Sequence, residues 1–371
     1  MKKNLMTVII VAVLSTILII TLGSTILLIG CDQFWPEFDF TTGSESTDDE
    51  EVTLPPPMEL ADERHLTFIL TNDDSAYTVV GLFSDTGAIN IVIPETYKGL
   101  PVVGIENDAF SSSSDLVSLT MPDTIRYIGQ AAFEGCTNLK NLNLSSNLEY
   151  IGEYVFDGCD SLEFTEYDNA FYLGDEEDPY TILMYAKDTD IESCNVHEDT
   201  KIIYSGAFYE CTDLNEISIP DGISQIGIGA FDECYDLFPN PKEDDPNYNY
   251  TKSAYYIGNE NNPYLILVEA RNKKNVSSVE IHPDTQIIAP GAFYECANLE
   301  NVKIPDSLRV IGEYAFEGCE SLETISISKG ISWRVYNPEA VYYKLLISAD
   351  TDANFVADLA EVYYYCAWIK H

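Results

Sequence analysis

The sequence predicts a repeat solenoid built mainly from parallel β-strands, and two observations support this prediction. A pattern of twelve residues, apolar-x-x-Ile-Gly-x-x-Ala-Phe-x-x-Cys, recurs along much of the chain. Its phenylalanine returns after 23 residues at four of the six steps from one copy to the next. A fixed period in the low twenties is typical of solenoids, in which one coil buries its apolar face only against neighbouring coils. We therefore expect one elongated array rather than two or three globular domains.

Copies of the pattern define the expected coils. Complete copies occupy Ile125–Cys136, Leu148–Cys159, Ile223–Cys234 and Leu308–Cys319. The glycine is shifted or lost in two further copies, Lys201–Cys211 and Gln286–Cys296. The phenylalanines that mark the coils are Phe110, Phe133, Phe156, Phe208, Phe231, Phe293 and Phe316. Seven coils exceed the three or so that a stable stack requires.

A second pattern precedes the first within the coils. Leu-x-x-Leu-x-Leu and its variants occur at Leu116–Met121, Leu139–Leu144, Leu214–Ile219, Leu299–Ile304 and Leu322–Ile327. This spacing is typical of a leucine-rich repeat and predicts a short strand with apolar residues inward and the x residues in solvent. The predicted fold class is therefore a leucine-rich-repeat solenoid, mainly parallel β with short helical turns, two β-hairpin inserts and a cap at each end.

The two inserts come from the two long steps between phenylalanines, which span 52 and 62 residues. Phe171–Leu183 and Tyr255–Leu267 match each other, because each has an apolar run, a Gly followed by acidic or Asn residues, and then Pro-Tyr. This order predicts a β-hairpin in each insert. Insertions in solenoids lie on one face and often carry the binding surface.

Both ends of the array contain candidate caps. Leu66–Leu82 reads as two strands around a turn at Asn72–Asp74, which would cover the exposed edge of the first coil. After the array, Ile331–Tyr336 reads as a last strand. Phe355–His371 has apolar residues at helical spacing and predicts a capping helix, with a partner-binding helix as the alternative.

The N-terminus predicts a membrane anchor. Lys2 and Lys3 precede an uncharged, mostly apolar run, Leu5–Ile29, and Leu28–Cys31 resembles the lipobox of bacterial lipoproteins. That resemblance implies a diacylglycerol on the Cys31 sulfur and removal of residues 1–30 as a signal peptide. The alternative is an uncleaved transmembrane signal anchor, because the run is about long enough to span a bilayer. Either anchor places the rest of the chain outside the cytoplasm.

The predicted organisation therefore has four parts. Residues 1–30 form the signal peptide, and residues 31–64, rich in acidic residues and proline, form a disordered linker. Residues 65–330 form the solenoid, and residues 331–371 form the C-terminal cap with its helix.

The charge excludes some classes of partner. The formal net charge is -43, and the pI is about 4.1. Nucleic-acid binding depends on clustered Lys and Arg that neutralise phosphates, so DNA and RNA are excluded as partners. Association with a membrane must likewise come from the N-terminal anchor rather than from a basic patch.

The combination of Ile-Pro, Ile-Gly, Ala-Phe and Cys at fixed offsets resembles the BspA-like surface proteins, which carry treponemal-type leucine-rich repeats. The resemblance covers roughly Tyr77–Ser328. It implies a stack of coils with parallel strands on one face and a location on the cell surface. It also implies adhesion to host proteins or to other cells.

Six of the nine cysteines lie three residues after a repeat phenylalanine, at Cys136, Cys159, Cys211, Cys234, Cys296 and Cys319. One position per coil predicts a single stacked column. The spacing between coils alone does not exclude disulfides, but equivalent side chains in a ladder point the same way, and buried cysteine packs as a small apolar residue. We expect free structural thiols. No metal site is expected, because the column lacks the short-range pairs of zinc sites.

Other candidate groups are expected to be structural. His197 and His282 occupy equivalent positions after the two inserts and are predicted to be turn residues, with a metal-binding or pH-sensitive role as the alternative. The acidic clusters Asp175–Asp178 and Glu243–Asp245 are predicted to be solvated loops, with calcium binding as the alternative. None of the common catalytic motifs is present, so we predict no enzyme, no catalytic residues and no cofactor.

The predicted function is that of a cell-surface lipoprotein that binds macromolecules noncovalently, through adhesion to proteins of a host or a neighbouring cell. A structural scaffold of the cell envelope is the alternative, and a surface enzyme is the least favoured class. The hairpin tips around Tyr180 and Tyr264 form a second expected surface, because aromatic residues often anchor interfaces. The expected binding positions on the strands are Ser118, Thr120, Asn141, Asn143, Glu216, Ser218, Asn301, Lys303, Thr324 and Ser326.

Overall fold

Short strands follow one another along the chain, stacked coil upon coil, with almost no helix. The computed structural model describes residues 65–71, 74–83, 90–238, 248–326, 332–337, 340–346 and 366–370, all within one unit, Pro57–His371. The predicted signal peptide, Cys31, the linker and the acidic cluster Glu243–Asp245 lie outside the described residues. Helix within these ranges consists of 3-10 geometry at His65, a 3-10 turn, Tyr235–Leu237, and one α-helical turn, α1 (Tyr248–Thr251).

The strands are numbered in chain order. They are β1 (Leu66–Leu70), β2 (Tyr77–Leu82), β3 (Asn90–Val92), β4 (Thr96–Tyr97), β5 (Leu100–Ile105), β6 (Ser118–Thr120), β7 (Tyr127–Ile128), β8 (Asn141–Asn143), β9 (Tyr150–Ile151), β10 (Thr165–Tyr167), β11 (Ala170–Leu173), β12 (Ile182–Ala186), β13 (Ser193–Asn195), β14 (Ile202–Ile203), β15 (Glu216–Ser218), β16 (Gln225–Ile226), β17 (Ala254–Ile257), β18 (Ile266–Ala270), β19 (Ser278–Glu280), β20 (Ile287–Ile288), β21 (Asn301–Lys303), β22 (Val310–Ile311), β23 (Thr324–Ser326), β24 (Ser332–Asn337), β25 (Ala340–Leu346) and β26 (Ala367–Lys370).

Each coil contributes two short strands, here called the Ile strand and the Leu strand. The Ile strands contain the isoleucine of the Ile-Gly pattern, and in the described part of the chain they belong to three sheets, β1-β2-β5-β7-β9, β10-β11-β12-β14-β16 and β17-β18-β20-β22-β26-β24-β25. The Leu strands follow the leucine pattern and form the sheets β3-β6-β8, β13-β15 and β19-β21-β23. The solenoid is therefore divided into three blocks, here called the first (β1–β9), second (β10–β16) and third (β17–β26) block.

All three predicted hairpins are present, and they share one role. In β11–β12 the second arm pairs in parallel with an Ile strand, Ile182 lying opposite Ile202. In β17–β18 the second arm does the same, with Ile266 opposite Ile287. The N-terminal hairpin β1–β2 also continues in parallel into β5. The hairpins predicted as inserts and as a cap are thus equivalent elements, and each one begins a block.

The repeat phenylalanines stack into a column inside the coils. Ring centroids lie 5.3 Å apart for Phe110 and Phe133, and 6.0 Å apart for Phe133 and Phe156, with nearly parallel planes. The backbone follows the same spacing, because the amide of Phe110 donates to the carbonyl of Ala132 at 2.8 Å. Each fully buried phenylalanine contributes about 2 kcal/mol of stabilisation through its apolar surface. Between the first and second blocks, the ring of Tyr204 continues the column at 6.2 Å from Phe156.

The glycine of the Ile-Gly pattern lies where one coil touches the next. A Cβ atom on Gly152 would lie 2.5 Å from the amide nitrogen of Gln130, and one on Gly227 would lie 2.3 Å from that of Ser205. Real Cβ atoms do not approach backbone this closely, so the stacked coils require glycine there. Gly129 and Gly312 have the same close approach.

Other residues occupy this position only in the coil that follows a hairpin. Glu106, Tyr204 and Ala289 donate the same backbone hydrogen bond as the glycines, to Val79, Leu183 and Leu267 respectively. Those three acceptors lie in β2, β12 and β18. In these strands the chain stays extended beyond the acceptor residue, whereas in the other coils the strand ends at the acceptor and the chain turns. The lost glycine of two repeat copies therefore marks the start of a block. The shifted Gly206 and Gly291 have φ of 66° and 65°, at a left-handed position of the turn.

The cysteine column consists of free thiols, as predicted. The eight cysteines among the described residues form no disulfide, and seven of them are buried. The thiols of Cys136 and Cys159 donate to the carbonyls of Phe110 and Phe133, each at 3.1 Å. Burial raises the pKa of Cys136 to about 11 and that of Cys159 to about 12, so these thiols stay protonated.

The C-terminal prediction is correct for the strand and wrong for part of the helix. The predicted last strand corresponds to β24, which pairs with β25. Ala367–Lys370, the end of the predicted helix, instead forms β26, inserted between β22 and β24. Cys366 and Trp368 are buried in the core of the third block, so tertiary packing overrides the helical spacing. Residues 355–365 lie outside the described residues.

Candidate binding surface

The Leu strands present two rows of outward side chains, and together these rows are called the strand face. The first row consists of Asn90, Ser118, Asn141, Ser193, Glu216, Ser278, Asn301 and Thr324. The second row consists of Val92, Thr120, Asn143, Asn195, Ser218, Glu280, Lys303 and Ser326. All ten strand positions predicted from the sequence lie on these rows, and all are half-buried or exposed.

The alternation of the strand explains why these residues face outward. The central residue of each strand points into the core, where Leu119 is 0% and Val302 is 1% exposed. Successive side chains of a strand point to opposite faces, so the flanking positions are directed to solvent. The sheets divide the strand face into a patch of three strands, one of two and one of three among the described residues.

The sequence prediction missed six positions of the strand face. They belong to β3, β13 and β19, the first Leu strand of each block, and are Asn90, Val92, Ser193, Asn195, Ser278 and Glu280. In these strands the central leucine is replaced by Ile91, Cys194 or Val279. A search for any apolar residue at the three inward positions, as in Ile191-x-x-Cys194-x-Val196, would have found them.

The strand face is almost uncharged. Of its sixteen positions only Glu216, Glu280 and Lys303 carry a charge, although the formal net charge of the chain is -43. Lys303 and Glu280 neutralise each other, since Nζ and Oε1 lie 2.6 Å apart. Asn, Ser and Thr occupy most of the other positions, so the face offers neutral hydrogen-bonding groups.

Some of these groups are held in place by bonds along a row. The Ser118 hydroxyl donates to the Asn90 side-chain carbonyl at 2.6 Å, and the Thr324 hydroxyl donates to that of Asn301. Such bonds between neighbouring coils fix the direction of the remaining donors, which lowers the entropic cost of binding a ligand.

Tyr180 and Tyr264 lie in aromatic clusters rather than at free hairpin tips. The ring of Tyr180 stacks on His197 at 3.8 Å, and that of Tyr264 stacks on His282 at 3.9 Å. Two further tyrosines complete each group. The first aromatic cluster consists of Tyr167, Tyr172, Tyr180 and His197, and the second consists of Tyr250, Tyr256, Tyr264 and His282.

The two histidines are turn residues, as predicted. Nδ1 of His197 accepts a hydrogen bond from the amide of Asp199 at 3.3 Å, and Nδ1 of His282 accepts one from Asp284 at 3.2 Å. Burial lowers the pKa of His282, and the nearby Asp284 carboxylate partly offsets this shift. His282 is therefore held neutral by its environment at physiological pH.

The first aromatic cluster lies at the border of the strand face. The Asp168 carboxylate accepts a hydrogen bond from the amide of Asn195 at 2.6 Å, and the Asn169 side-chain amide donates to the carbonyl of Ser193 at 2.8 Å. These two residues connect β10 to β11 and cover the outer edge of β13. Tyr167 directly precedes them and is 39% exposed.

The first acidic cluster forms a turn. Oδ1 of Asp175 accepts hydrogen bonds from the amides of Glu177 at 2.9 Å and Asp178 at 2.8 Å. Asn259 forms the same turn in the other hairpin, which shows that a carboxylate charge is not needed there. Within the part of the chain that the structure describes, no group of three or more His, Cys, Asp or Glu side chains could hold a metal ion.

A stack of coils with an open face of short parallel strands defines a leucine-rich-repeat solenoid. The family model for the BspA type leucine rich repeat region matches six copies, over residues 80–175, 183–240 and 269–349. These residues make up more than half of the chain. The protein therefore belongs to the BspA-type leucine-rich-repeat family, whose solenoid typically serves as a protein-binding, non-enzymatic scaffold.

Three solved structures of bacterial leucine-rich-repeat proteins are similar in sequence to this chain. A leucine-rich-repeat protein of T. pallidum is 22% identical over 71% of this chain and 91% of its own, with a TM-score of 0.32. A leucine-rich cell surface protein of Faecalibacterium prausnitzii A2-165 is 24% identical over 74% of this chain and 77% of its own, with a TM-score of 0.29. A leucine-rich-repeat protein of Bacteroides ovatus ATCC 8483 is 23% identical over 72% of this chain and 70% of its own, with a TM-score of 0.32.

No curated protein matches this chain significantly. Members of the BspA-like family are cell-surface proteins. Within the described ranges, no helix has the length and apolar character needed to cross a membrane. The predicted anchor, Leu5–Ile29, lies outside those ranges.

Proposed function

We propose that this protein is a surface lipoprotein that binds a protein of a host or a neighbouring cell noncovalently, through the strand face. The observation that carries the proposal is the neutrality of that face in a chain with a formal net charge of -43. A strongly acidic surface repels most cell-surface proteins at long range, whereas a neutral polar face allows close contact. The aromatic clusters with Tyr180 and Tyr264 form the second part of the proposed surface.

The strand face can be tested by adding charge to it. The double variant Asn141→Arg and Asn143→Arg places two long cations on β8, where both side chains are exposed. We expect this variant to lose at least about tenfold in affinity for the partner, because unmatched charges at a neutral interface cost at least 1.4 kcal/mol. The measurement is a pulldown with the full-length chain from host matrix and cell-surface extracts, followed by titration of the recovered protein.

A matched control adds the same two charges elsewhere. Thr137→Arg and Ala297→Arg lie just after a column cysteine, on exposed turns of the coils. We expect this control variant to bind like the wild type. An equal loss in both variants, or failure of the wild-type chain to recover any partner, would count against the proposal.

The lipid anchor is a separate part of the proposal. The Leu-Ile-Gly-Cys segment ending at Cys31 supports it, as does membership of a cell-surface family. Two acyl chains on one cysteine are sufficient for stable anchoring, at about 0.8 kcal/mol per buried methylene.

Cys31→Ala tests this anchor. The wild-type chain should lose residues 1–30 and gain the mass of a diacylglyceryl group, and both changes should be absent in the variant. The measurement is the intact mass of the chain in membrane and soluble fractions. If Cys31→Ala leaves the chain membrane-bound at full precursor mass, indistinguishable from the wild type, the transmembrane signal anchor replaces the lipoprotein.

A further inference from the structure

We propose that the first aromatic cluster and the adjoining strand-face residues of β13 and β15 form a subsite for a neutral, hydroxyl-rich glycan chain. This inference goes beyond the proposed function, since it assigns a second ligand class to one border of the same surface. It depends on three features of this border: a fixed aromatic ring, neighbouring free amide and hydroxyl groups, and negative charge around them.

The first feature is a tyrosine ring that is exposed yet held in one orientation. Tyr167 meets His197 edge-on, with centroids 4.7 Å apart and planes at 84°, and meets Tyr180 at 5.6 Å and 64°. Behind these rings Tyr172 is fully buried. Tyr167 still exposes 39% of its surface. The C–H face of a sugar packs on such a ring, and a ring that is already fixed loses little conformational entropy on binding.

The second feature is a set of neutral polar groups beside that ring. Asn195 lies opposite Ser218 and Ser193 lies opposite Glu216 in the paired strands β13 and β15. The side chains of Ser193, Asn195 and Ser218 form no hydrogen bond with other described residues. Two hydroxyls and an amide therefore remain available to bind sugar hydroxyls, next to a ring that can hold the apolar face of the same sugar.

The third feature is the charge around the cluster, which selects against anionic glycans. The Asp199 carboxylate is 61% exposed and lies 3.6 Å from His197, and Glu216 is exposed on β15. The Asp168 carboxylate lies at the edge of β13. These carboxylates repel sulfate and sialic acid groups, and so does the formal net charge of -43.

The second aromatic cluster has the same stacked tyrosine–histidine pair but a different border. Its histidine, His282, is only 7% exposed. The position equivalent to Asn195 is Glu280, which is paired with Lys303. A charged pair thus replaces the free amide and hydroxyl of Asn195 and Ser218. The first cluster is therefore the one whose surroundings suit a neutral sugar.

The test is calorimetric titration of the full-length chain with four probes. Three are neutral hexasaccharides, namely cellohexaose, maltohexaose and mannohexaose, and the fourth is an anionic heparin hexasaccharide. We expect at least one neutral probe to bind and the heparin probe not to bind. Tyr167→Ala should weaken the neutral probe by at least about tenfold, as expected for loss of an anchoring ring. Tyr209→Ala removes a ring that is 48% exposed outside both clusters and should leave the affinity unchanged.

A second variant guards against misfolding of Tyr167→Ala. Asn195→Asp keeps the side-chain shape and leaves every ring in place, yet replaces the amide donors by a charge. It should weaken the neutral probe by about threefold or more, because a lost hydrogen bond is worth roughly 1 kcal/mol. Wild-type affinity in both variants, or tighter binding of heparin than of any neutral probe, would overturn the inference.

The two proposals fail in different ways. If the hexasaccharides do not bind while Asn141→Arg with Asn143→Arg still abolishes partner capture, the glycan subsite is wrong and the protein-binding function stands. If a hexasaccharide binds and depends on Tyr167 while no protein partner is recovered, the subsite stands and the protein-binding function is wrong. A protein partner that competes with the hexasaccharide at Tyr167 would support both.

Discussion

Replacing Glu313 with glutamine should raise the free energy of unfolding at pH 8 by about 3 kcal/mol. Glu313 is only 5% exposed, and its carboxylate accepts a hydrogen bond from the hydroxyl of Tyr150. The pKa of Glu313 is raised from 4.5 to about 7, mainly by burial; the hydrogen bond from Tyr150 opposes this shift, and the nearby Glu153 adds a smaller increase. Glutamine keeps an acceptor for Tyr150 and removes the charge that must otherwise be buried.

The sign of the pH dependence follows from the raised pKa. The carboxyl of Glu313 stabilises the fold fully below the unfolded pKa of 4.5, and this contribution is lost as the pH rises through about 7. Glu313→Gln should therefore match the wild type near pH 4, gain on it between about pH 4.5 and pH 7, and keep a nearly constant advantage above pH 7. Urea unfolding at several pH values measures the difference.

Glu153→Gln is the matched control for this prediction. Glu153 is half-buried, and burial raises its pKa as well, but it lies in a less enclosed position than Glu313. Its replacement should give a smaller gain at pH 8. A pH-independent effect of Glu313→Gln, or a loss of stability at pH 8, would show that the carboxylate is compensated in the fold.

Glu313 matters because the three blocks converge around it. Tyr150 lies in β9, the last Ile strand of the first block, whereas Glu313 follows β22 of the third. From the second block, the Gln225 side chain bonds both to the amide and to the carbonyl of Ile151, each at 2.8 Å. A side-chain amide thus takes the place of a neighbouring strand at the end of β9. This arrangement satisfies backbone groups that a buried edge would otherwise leave unpaired.

No repeat pattern could have predicted this junction. Tyr150 and Glu313 are 163 residues apart in the chain, and Gln225 and Ile151 are 74 apart. The repeats specify contacts between consecutive coils, such as Phe110 with Phe133, because the same residue types recur at one spacing. Contacts between blocks depend on the angle at which a hairpin begins a new sheet, and that angle has no signature in the period.

The same distinction applies to the candidate site. The outward positions, such as Asn141 and Ser218, follow from period-two alternation and were predicted in register. The aromatic clusters were not, because Tyr167 comes from β10 and Tyr250 from α1, two segments without sequence similarity. Tyr180 and Tyr264 were singled out correctly as equivalent residues, but their stacking on His197 and His282 required the fold.

Replacing Gly227 with alanine should lower the free energy of unfolding by about 3 kcal/mol, the upper end of the usual cost of overpacking. The added Cβ would lie 2.3 Å from the amide nitrogen and 2.6 Å from the Cα of Ser205. Both atoms belong to the backbone of the preceding coil, so no side-chain rotation relieves the clash. The coils would have to separate, which weakens the parallel pairing of β14 with β16.

Gly206→Ala separates this steric effect from the general cost of losing a glycine. Gly206 has a left-handed φ of 66°, but a Cβ there would find no atom closer than 3.8 Å. Its replacement should cost only about 1 kcal/mol, the strain of a left-handed alanine, which Ala131 already bears at the equivalent position with φ of 53°. Urea unfolding of both variants gives the comparison. Equal losses would mean that glycine serves backbone freedom at both positions, whereas a loss about threefold larger for Gly227→Ala shows that this glycine is required because coil stacks on coil.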